Sequence, residues 1–295
     1  MIVIKFGGSS VKNGDGARRV VRVVKTAKST GAAVLVVVSA LELVTRLLVN
    51  LAEFIENGNK SEVNNRINSL IQLHRCLSIS LGIPCGRAEQ ALQEFDDLRL
   101  LEPCGNPPRL KDKTLAAGEL ASSRLYAEIL AWFGIHAEWI DPRQVIVTDG
   151  VHGAANPDMS ITRSRVQSLI LPRIRQGVVL VTGGFVGATI HGATTTLGFD
   201  GSDRSAVILG VSVNASEVHK MTDVDGVMPL DPDGMPYGEV ILALSYERAS
   251  ELALKARRKF LHPDAIRMAK EYGVPIRVRS TLNPAHPGTL IGSTD

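Results

Sequence analysis

The run Ala32–Ser39 reads Ala-Ala-Val-Leu-Val-Val-Val-Ser, and it constrains the fold more than any other stretch. It is far shorter than the roughly 18 residues that cross a bilayer. It also lacks the polar alternation of a strand with one wet face. A short, continuously apolar strand is buried on both faces, which requires a parallel sheet with helices packed over each side. Ile2–Phe6, Val178–Val181 and Val218–Met221 are further strands, as are His136–Ile140, Val145–Val147, Ile276–Ser280 and Thr289–Ile291. Between them, Leu, Ile and Val recur at three- and four-residue spacing. That spacing predicts helices over Gly16–Ser29, Thr45–Glu56, Lys113–Phe133, Ile161–Gln176 (despite Pro172), Tyr246–Lys259 and Asp264–Tyr272. Two more helices are predicted between Ser61 and Leu101, interrupted at Gly82-Ile83-Pro84. The alternation gives an α/β class and one domain with two lobes.

Composition removes other classes. At 44% hydrophobic and 21% charged residues, the chain matches a globular domain, not a disordered or fibrous one. A net charge of +3 without a basic cluster argues against a nucleic-acid binder. The N-terminus shows no basic region or cleavage site of a signal peptide. Cys76, Cys85 and Cys104 have no Cys-x-x-Cys spacing and read as reduced thiols. The expectation is a cytoplasmic protein with neither a membrane nor a nucleic-acid partner. The histidines are scattered singly, so no metal ligand set is readable.

Three segments carry candidate chemistry. In Lys5-Phe6-Gly7-Gly8-Ser9-Ser10 a buried strand opens into a glycine pair and a helix. Backbone N–H groups there can approach a phosphate, and a lysine at the strand end can reach it. The Gly-x-x-x-x-Gly-Lys-Ser/Thr pattern is absent, so this is not a P-loop. Thr194–Asp203 is a Thr-rich, Gly-punctuated loop feeding a helix start, with Ser202 and Asp203 as capping oxygens. Thr222-Asp223-Val224-Asp225-Gly226 is a polar turn at a strand end, the position that lines ligand crevices in parallel sheets. Each alone is also compatible with an ordinary turn or helix start.

Together these segments resemble the amino-acid kinase family, and within it the aspartokinases. The matching stretches are KFGGSSV (5–11), GELASSRLYAEIL (118–130), TTTLGFDGSD (194–203), TDVDGV (222–227), SYERASELA (245–253), KFLHPDAI (259–266) and IRVRSTLNPAHPGTLI (276–291). The helical insertion around 61–101 is most similar to the lysine-sensitive bacterial branch. The resemblance implies a three-layer αβα sandwich with a mostly parallel central sheet, as in carbamate kinase-like folds. Residues about 1–200 would form the amino-acid lobe and about 201–295 the nucleotide lobe. It implies ATP and Mg²⁺ as cofactors and the side-chain carboxylate of aspartate as phosphoryl acceptor. By position, Lys5, Asp203 and Lys259 would be catalytic, with Asp203 orienting Lys5. Ser39, Thr45, Glu119 and Ser202 would hold the amino acid, Glu119 through its ammonium. Gly7, Gly8, Ser9, Thr222, Asp223 and Met228 would surround the nucleotide with both lysines.

The chain departs from the pattern in three places. Where the family has Gly-Arg-Gly-Gly, the sequence reads Gly198-Phe199-Asp200-Gly201, replacing an arginine that would grip the substrate carboxylate. Phe199 then faces the acceptor, and Arg204 is a candidate to compensate. Asp233 stands where an arginine would touch phosphate. Leu41-Glu42-Leu43 replaces a small turn after Ser39. These changes keep two alternatives open: a sister kinase with another amino acid as acceptor, and a non-catalytic homologue. The matches run from Lys5 to Ile291, so the expectation is a catalytic domain without the ACT regulatory pair, indifferent to lysine. A homodimer is left open.

Overall fold

A computed structural model describes all residues except Cys104, Phe199, Pro232, Arg258, Lys259, Thr294 and Asp295. The chain opens with β1 (Ile2–Phe6), α1 (Gly8–Val11), α2 (Gly14–Ser29) and β2 (Val34–Val38). A helical block follows: α3 (Val44–Glu56), α4 (Lys60–Ser80), α5 (Cys85–Asp96) and α6 (Pro107–Trp132). Next come β3 (Ala137–Trp139), α7 (Pro142–Val145), β4 (Val147–Thr148), α8 (Met159–Arg165), α9 (Leu171–Arg175), β5 (Val179–Gly183), β6 (Val186–Thr189) and β7 (Thr194–Thr196). The last third contains α10 (Gly201–Ser212), β8 (Glu217–Thr222), β9 (Ala243–Ser245), α11 (Tyr246–Lys255), α12 (Pro263–Tyr272), β10 (Ile276–Ser280) and β11 (Thr289–Gly292).

The main sheet runs β3-β5-β2-β1-β8-β10-β11-β9, with β4-β6-β7 as a small second sheet. Every neighbouring pair in the main sheet is parallel except β10–β11. The αβα class is therefore present, mostly parallel as expected. Both faces of β2 are buried because its residues serve two cores in turn. Val34, Val36 and Val38 pack under α2–α6, and Leu35 and Val37 pack with α10 and α12 on the other side. Leaving β1 the chain moves to β2 on one side, whereas leaving β8 it moves to the other side, first to β9 at the far edge and then back to β10. The crevice beyond the carboxyl ends of β1 and β8 is thus the switch point where open parallel sheets hold ligands. No helix of the described residues is long and apolar enough to cross a membrane.

Several local expectations change. The helix read over Ile161–Gln176 is three pieces, with a π-turn over Val166–Ile170 between α8 and α9. Pro172 lacks the N–H of an i→i−4 bond and its ring crowds the preceding turn; the wider turn accommodates it. Residues 142–145, partly read as strand, form the short α7, started by Asp141 accepting from the Arg143 N–H. Thr194–Thr196, read as loop, is β7, hydrogen-bonded antiparallel to β6. The last helix turn read up to Lys259 ends at Lys255. Cys76 and Cys85 are free and exposed, while Cys104 lies outside the described residues.

One buried polar group makes the fold pH-sensitive. His74 on α4 is fully buried, its Nδ1–H donates to the Leu70 carbonyl at 2.8 Å, and its ring packs on Phe95 with centroids 4.8 Å apart. Nε2 has no partner among the described residues. Burial pushes the imidazole down to about 4, only partly offset by the Leu70 bond. A depressed histidine contributes stability that is present above its unfolded value of about 6.5 and is lost as pH falls through about 4. Denaturant melts at pH 7 and pH 4.5 should therefore show an acid loss of up to about 3 kcal/mol more for the native chain than for His74→Leu. Equal losses in the two proteins would remove His74 as the cause.

Candidate functional site

Lys5 and Lys220 sit side by side at the switch point, as register partners in the β1–β8 pairing. They share the sheet face of Val3 and Val218, which belong to the core beneath α10. Two like charges on neighbouring positions of one face repel, and burial makes this worse. Asp203, in the first turn of α10, answers both. Lys5 Nζ lies 2.8 Å from Oδ1, and Lys220 Nζ donates to Oδ2 at 2.6 Å. The side chains of Lys5, Asp203 and Lys220 are 9%, 2% and 15% exposed. Burial alone would raise the Asp203 carboxyl, but the Lys220 and Lys5 ammonium groups outweigh it and hold it down at about 2. Lys220 is pushed below the usual lysine range by burial, with the Lys5 charge adding and Asp203 opposing. In direct contact two cations face one anion, with the Asp200 carboxylate acting on Lys220 from further away.

Asp203 is therefore an ion-pair partner and not a cap. The N-cap of α10 is Asp200, in the left-handed region at φ 51° and without a side-chain capping bond. Strain of this kind gathers here. Among the described non-glycine residues at positive φ, Leu43, Phe185 and Asp200 all line one cavity. Such conformations cost of order 1–3 kcal/mol each and persist where the surrounding structure holds them in place.

Two cavities meet at Lys5. The first, of about 820 Å³, is lined by Ser39, Thr45, Glu119 and Ser202, with Gly8, Leu43, Asp112, Phe185 and Gly201. The second, of about 250 Å³, is lined by Gly7, Ser9, Lys220, Thr222, Asp223 and Met228. The amino-acid and nucleotide residues inferred from the sequence thus fall into separate but touching spaces. Gly8 lies on the first, although it was expected with the nucleotide. The glycines after β5 bring the walls together. A Cβ on Gly184 would stand 2.6 Å from Ser202 Cβ, and one on Gly183 would stand 3.1 Å from the Glu119 carbonyl oxygen. The two glycines let α6 and α10 close over the carboxyl end of β5.

Glu119 is buried, and its Oε2 has no hydrogen-bond partner among the described residues. Burial pushes its carboxyl up to about 8, against the Ala40 backbone bond and the Lys5 charge. Such a group is stabilised by an incoming cation or a proton.

Two expected residues are directed elsewhere. Arg204 donates to the Leu197 carbonyl at 2.5 Å and does not line the first cavity. Helical side chains advance about 100° per residue, so Arg204 cannot follow Asp203 toward the crevice. Asp233 is exposed on the turn 231–235 and does not line the second cavity. Phe199 and Lys259 lie outside the described residues.

Two residues were missed. Lys220 reads as one polar position in an ordinary strand, and only the β1–β8 pairing sets it beside Lys5. Asp112, between two lysines just ahead of the helix predicted from Lys113, is given no role by the sequence. It is buried, accepting from Thr196 Oγ1 at 2.5 Å, His152 Nδ1 at 2.8 Å and the Gly153 N–H at 3.1 Å. It ties α6 to β7 and to the 151–153 loop, one wall of the first cavity.

Comparison with known proteins gives a consistent picture. The profile of the amino acid kinase family matches residues 1–280. The chain is 33% identical over 294 residues to lysine-sensitive aspartokinase 3 of Escherichia coli, covering 99% of this chain and 64% of that protein. It is also 33% identical to an aspartokinase of Chlamydia muridarum, over 98% of this chain and 63% of the relative. The crystal structure of E. coli aspartokinase III in complex with aspartate and ADP superposes with a TM-score of 0.86 at 32% identity. That match covers all of this chain and 65% of the other. A UMP kinase from Bacillus anthracis, at 15% identity and a TM-score of 0.54, shares the fold alone. The chain spans just under two thirds of the length of these aspartokinases.

Proposed function

The chain belongs to the amino acid kinase family, and from that premise we propose that it transfers the γ-phosphoryl group of ATP to the side-chain carboxylate of aspartate. The observation that carries this reading is the position of Lys5. Among the described residues it is the only one lining both cavities. Its ammonium, fixed by Asp203, lies where a phosphoryl group would pass from one space to the other. That the similar E. coli structure holds aspartate and ADP supports the same assignment.

In this mechanism a carboxylate oxygen of aspartate attacks the γ-phosphorus. The bond from phosphorus to the β,γ-bridging oxygen breaks, and ADP leaves with the electron pair. The acceptor is ionised at neutral pH, so no general base is required. The protein's task is alignment and neutralisation of phosphate charge. Glu119 would take the aspartate ammonium, and Ser39, Thr45 and Ser202 would surround the rest. The amino end of α10, at Gly201 and Ser202, favours negative charge in the first cavity. Thr222, Asp223 and Met228 would contact the nucleoside side of the second.

Among the described residues no group of three His, Cys, Asp or Glu side chains is built to hold a metal ion. Magnesium would enter with ATP, held mainly by phosphate oxygens, and would lower the charge on those oxygens.

An ADP-release assay with hydroxylamine trapping tests the reading. Aspartate should drive ADP release, and the acyl phosphate should be captured as a hydroxamate. ADP release driven better by the amide or hydroxyl analogues, or none with aspartate, would overturn it.

A further inference from the structure

Asp203 needs only one cation to balance it, and Lys5 already stands at 2.8 Å from it. Lys220 is thus surplus to the pairing. Burying a second ammonium against the first costs stability, and an apolar side chain at this place in β8 would avoid that cost. Its position does not suit a plain structural role either. One of its three N–H donors goes to Asp203, and among the described residues no other hydrogen bond takes the remaining two. Together with Lys5, Gly7 and Ser9 it lines the second cavity. A second buried cation on a shared carboxylate, with free donors and lining a cavity beside a glycine turn, matches a polyanionic ligand.

We propose that Lys220 is a second phosphate-binding residue of this site, gripping the phosphate chain of the nucleotide from β8 while Lys5 meets the phosphoryl group that is transferred. The inference rests on the assignment of the second cavity to the nucleotide. Asp203 holds the two lysines at one spacing, so their ammonium groups reach into the cavity as a preformed pair. Arrival of the phosphates supplies the negative charge that the empty site lacks.

The test is calorimetry on the full chain and on Lys220→Met, using Mg-ATP, adenosine and inorganic tripolyphosphate as probes. Lys220→Arg, which keeps the charge, serves as the second variant. Loss of a charge-assisted contact should weaken Mg-ATP and tripolyphosphate binding about ten- to a hundredfold in the methionine variant. Adenosine affinity should be unchanged, and the arginine variant should recover most of the loss. In steady-state assays the KM for ATP should rise more than kcat falls. The melting temperature of the empty Lys220→Met protein should equal or exceed that of the native chain, the opposite of what a structural lysine would give. Mg-ATP binding by Lys220→Met within twofold of native, or equal losses for ATP and adenosine, would overturn the proposal. Should the native chain bind tripolyphosphate but not Mg-ATP, the nucleotide assignment falls while the phosphate grip at Lys220 stands.

Discussion

Lys5→Met is expected to lower kcat by about a thousandfold or more while leaving the chain folded. The size follows from where the charge acts. Removing one preorganised donor from a developing charge costs about 10²–10³ in kcat. Removing a cation dedicated to a transferring phosphoryl group costs roughly 10³–10⁵. Lys5 combines both properties, being 9% exposed, fixed by Asp203 and set between the two cavities. Stranding a buried charge destabilises proteins by about 3–5 kcal/mol. Here Asp203 keeps its 2.6 Å bond to Lys220, so the folding cost should be smaller than that. The measurement is single-turnover phosphoryl transfer beside a thermal melt. A folded Lys5→Met protein retaining more than a tenth of native kcat would remove Lys5 from the reaction.

Much of this site is legible in the sequence because the sheet is. A strand as apolar as Val34–Val38 has one reading, and the glycine pair after β1 places Lys5 at a strand end. The strand β8 carries Lys220 between His219 and Met221 with no such signal. Neighbouring strands here are distant in sequence, so the pairing of Lys5 with Lys220 is tertiary information. The capping role read for Asp203 failed for the same reason. A local pattern suggests a helix start, but two lysines from β1 and β8 attract the carboxylate more strongly than the helix N–H groups do. Arg204 shows the reverse error. A charge next to Asp203 in sequence looked able to reach the crevice, yet helical geometry turns it to the Leu197 carbonyl. β6 and β7 were missed because Gly187 and a threonine triplet carry little apolar periodicity. They are held by their antiparallel pairing and by the bond of Thr196 to Asp112.

Glu119 should make amino-acid binding strongly pH-dependent. In the empty site its carboxyl titrates at about 8, chiefly because burial disfavours the charge. Below that pH the group is mostly protonated, and an ammonium ligand must displace the proton to pair with it. Aspartate affinity, measured with Mg-ADP present, should therefore rise about tenfold per pH unit between pH 6 and 7 and level off near 8. Glu119→Gln preserves the shape but cannot ionise. It should bind aspartate roughly ten- to a hundredfold more weakly at pH 8, and its binding should lose the slope. Stability should move the other way. A carboxyl raised above its unfolded value of 4.5 contributes stability present below that value and lost as pH rises through about 8. At pH 8.5 the empty Glu119→Gln protein should accordingly be the more stable of the two, by on the order of a few kcal/mol. A site that weakens its own empty state to receive a cation is the physical content of the assignment. Affinity that is flat from pH 6 to 8, or a slope that survives in Glu119→Gln, would take the ammonium away from Glu119.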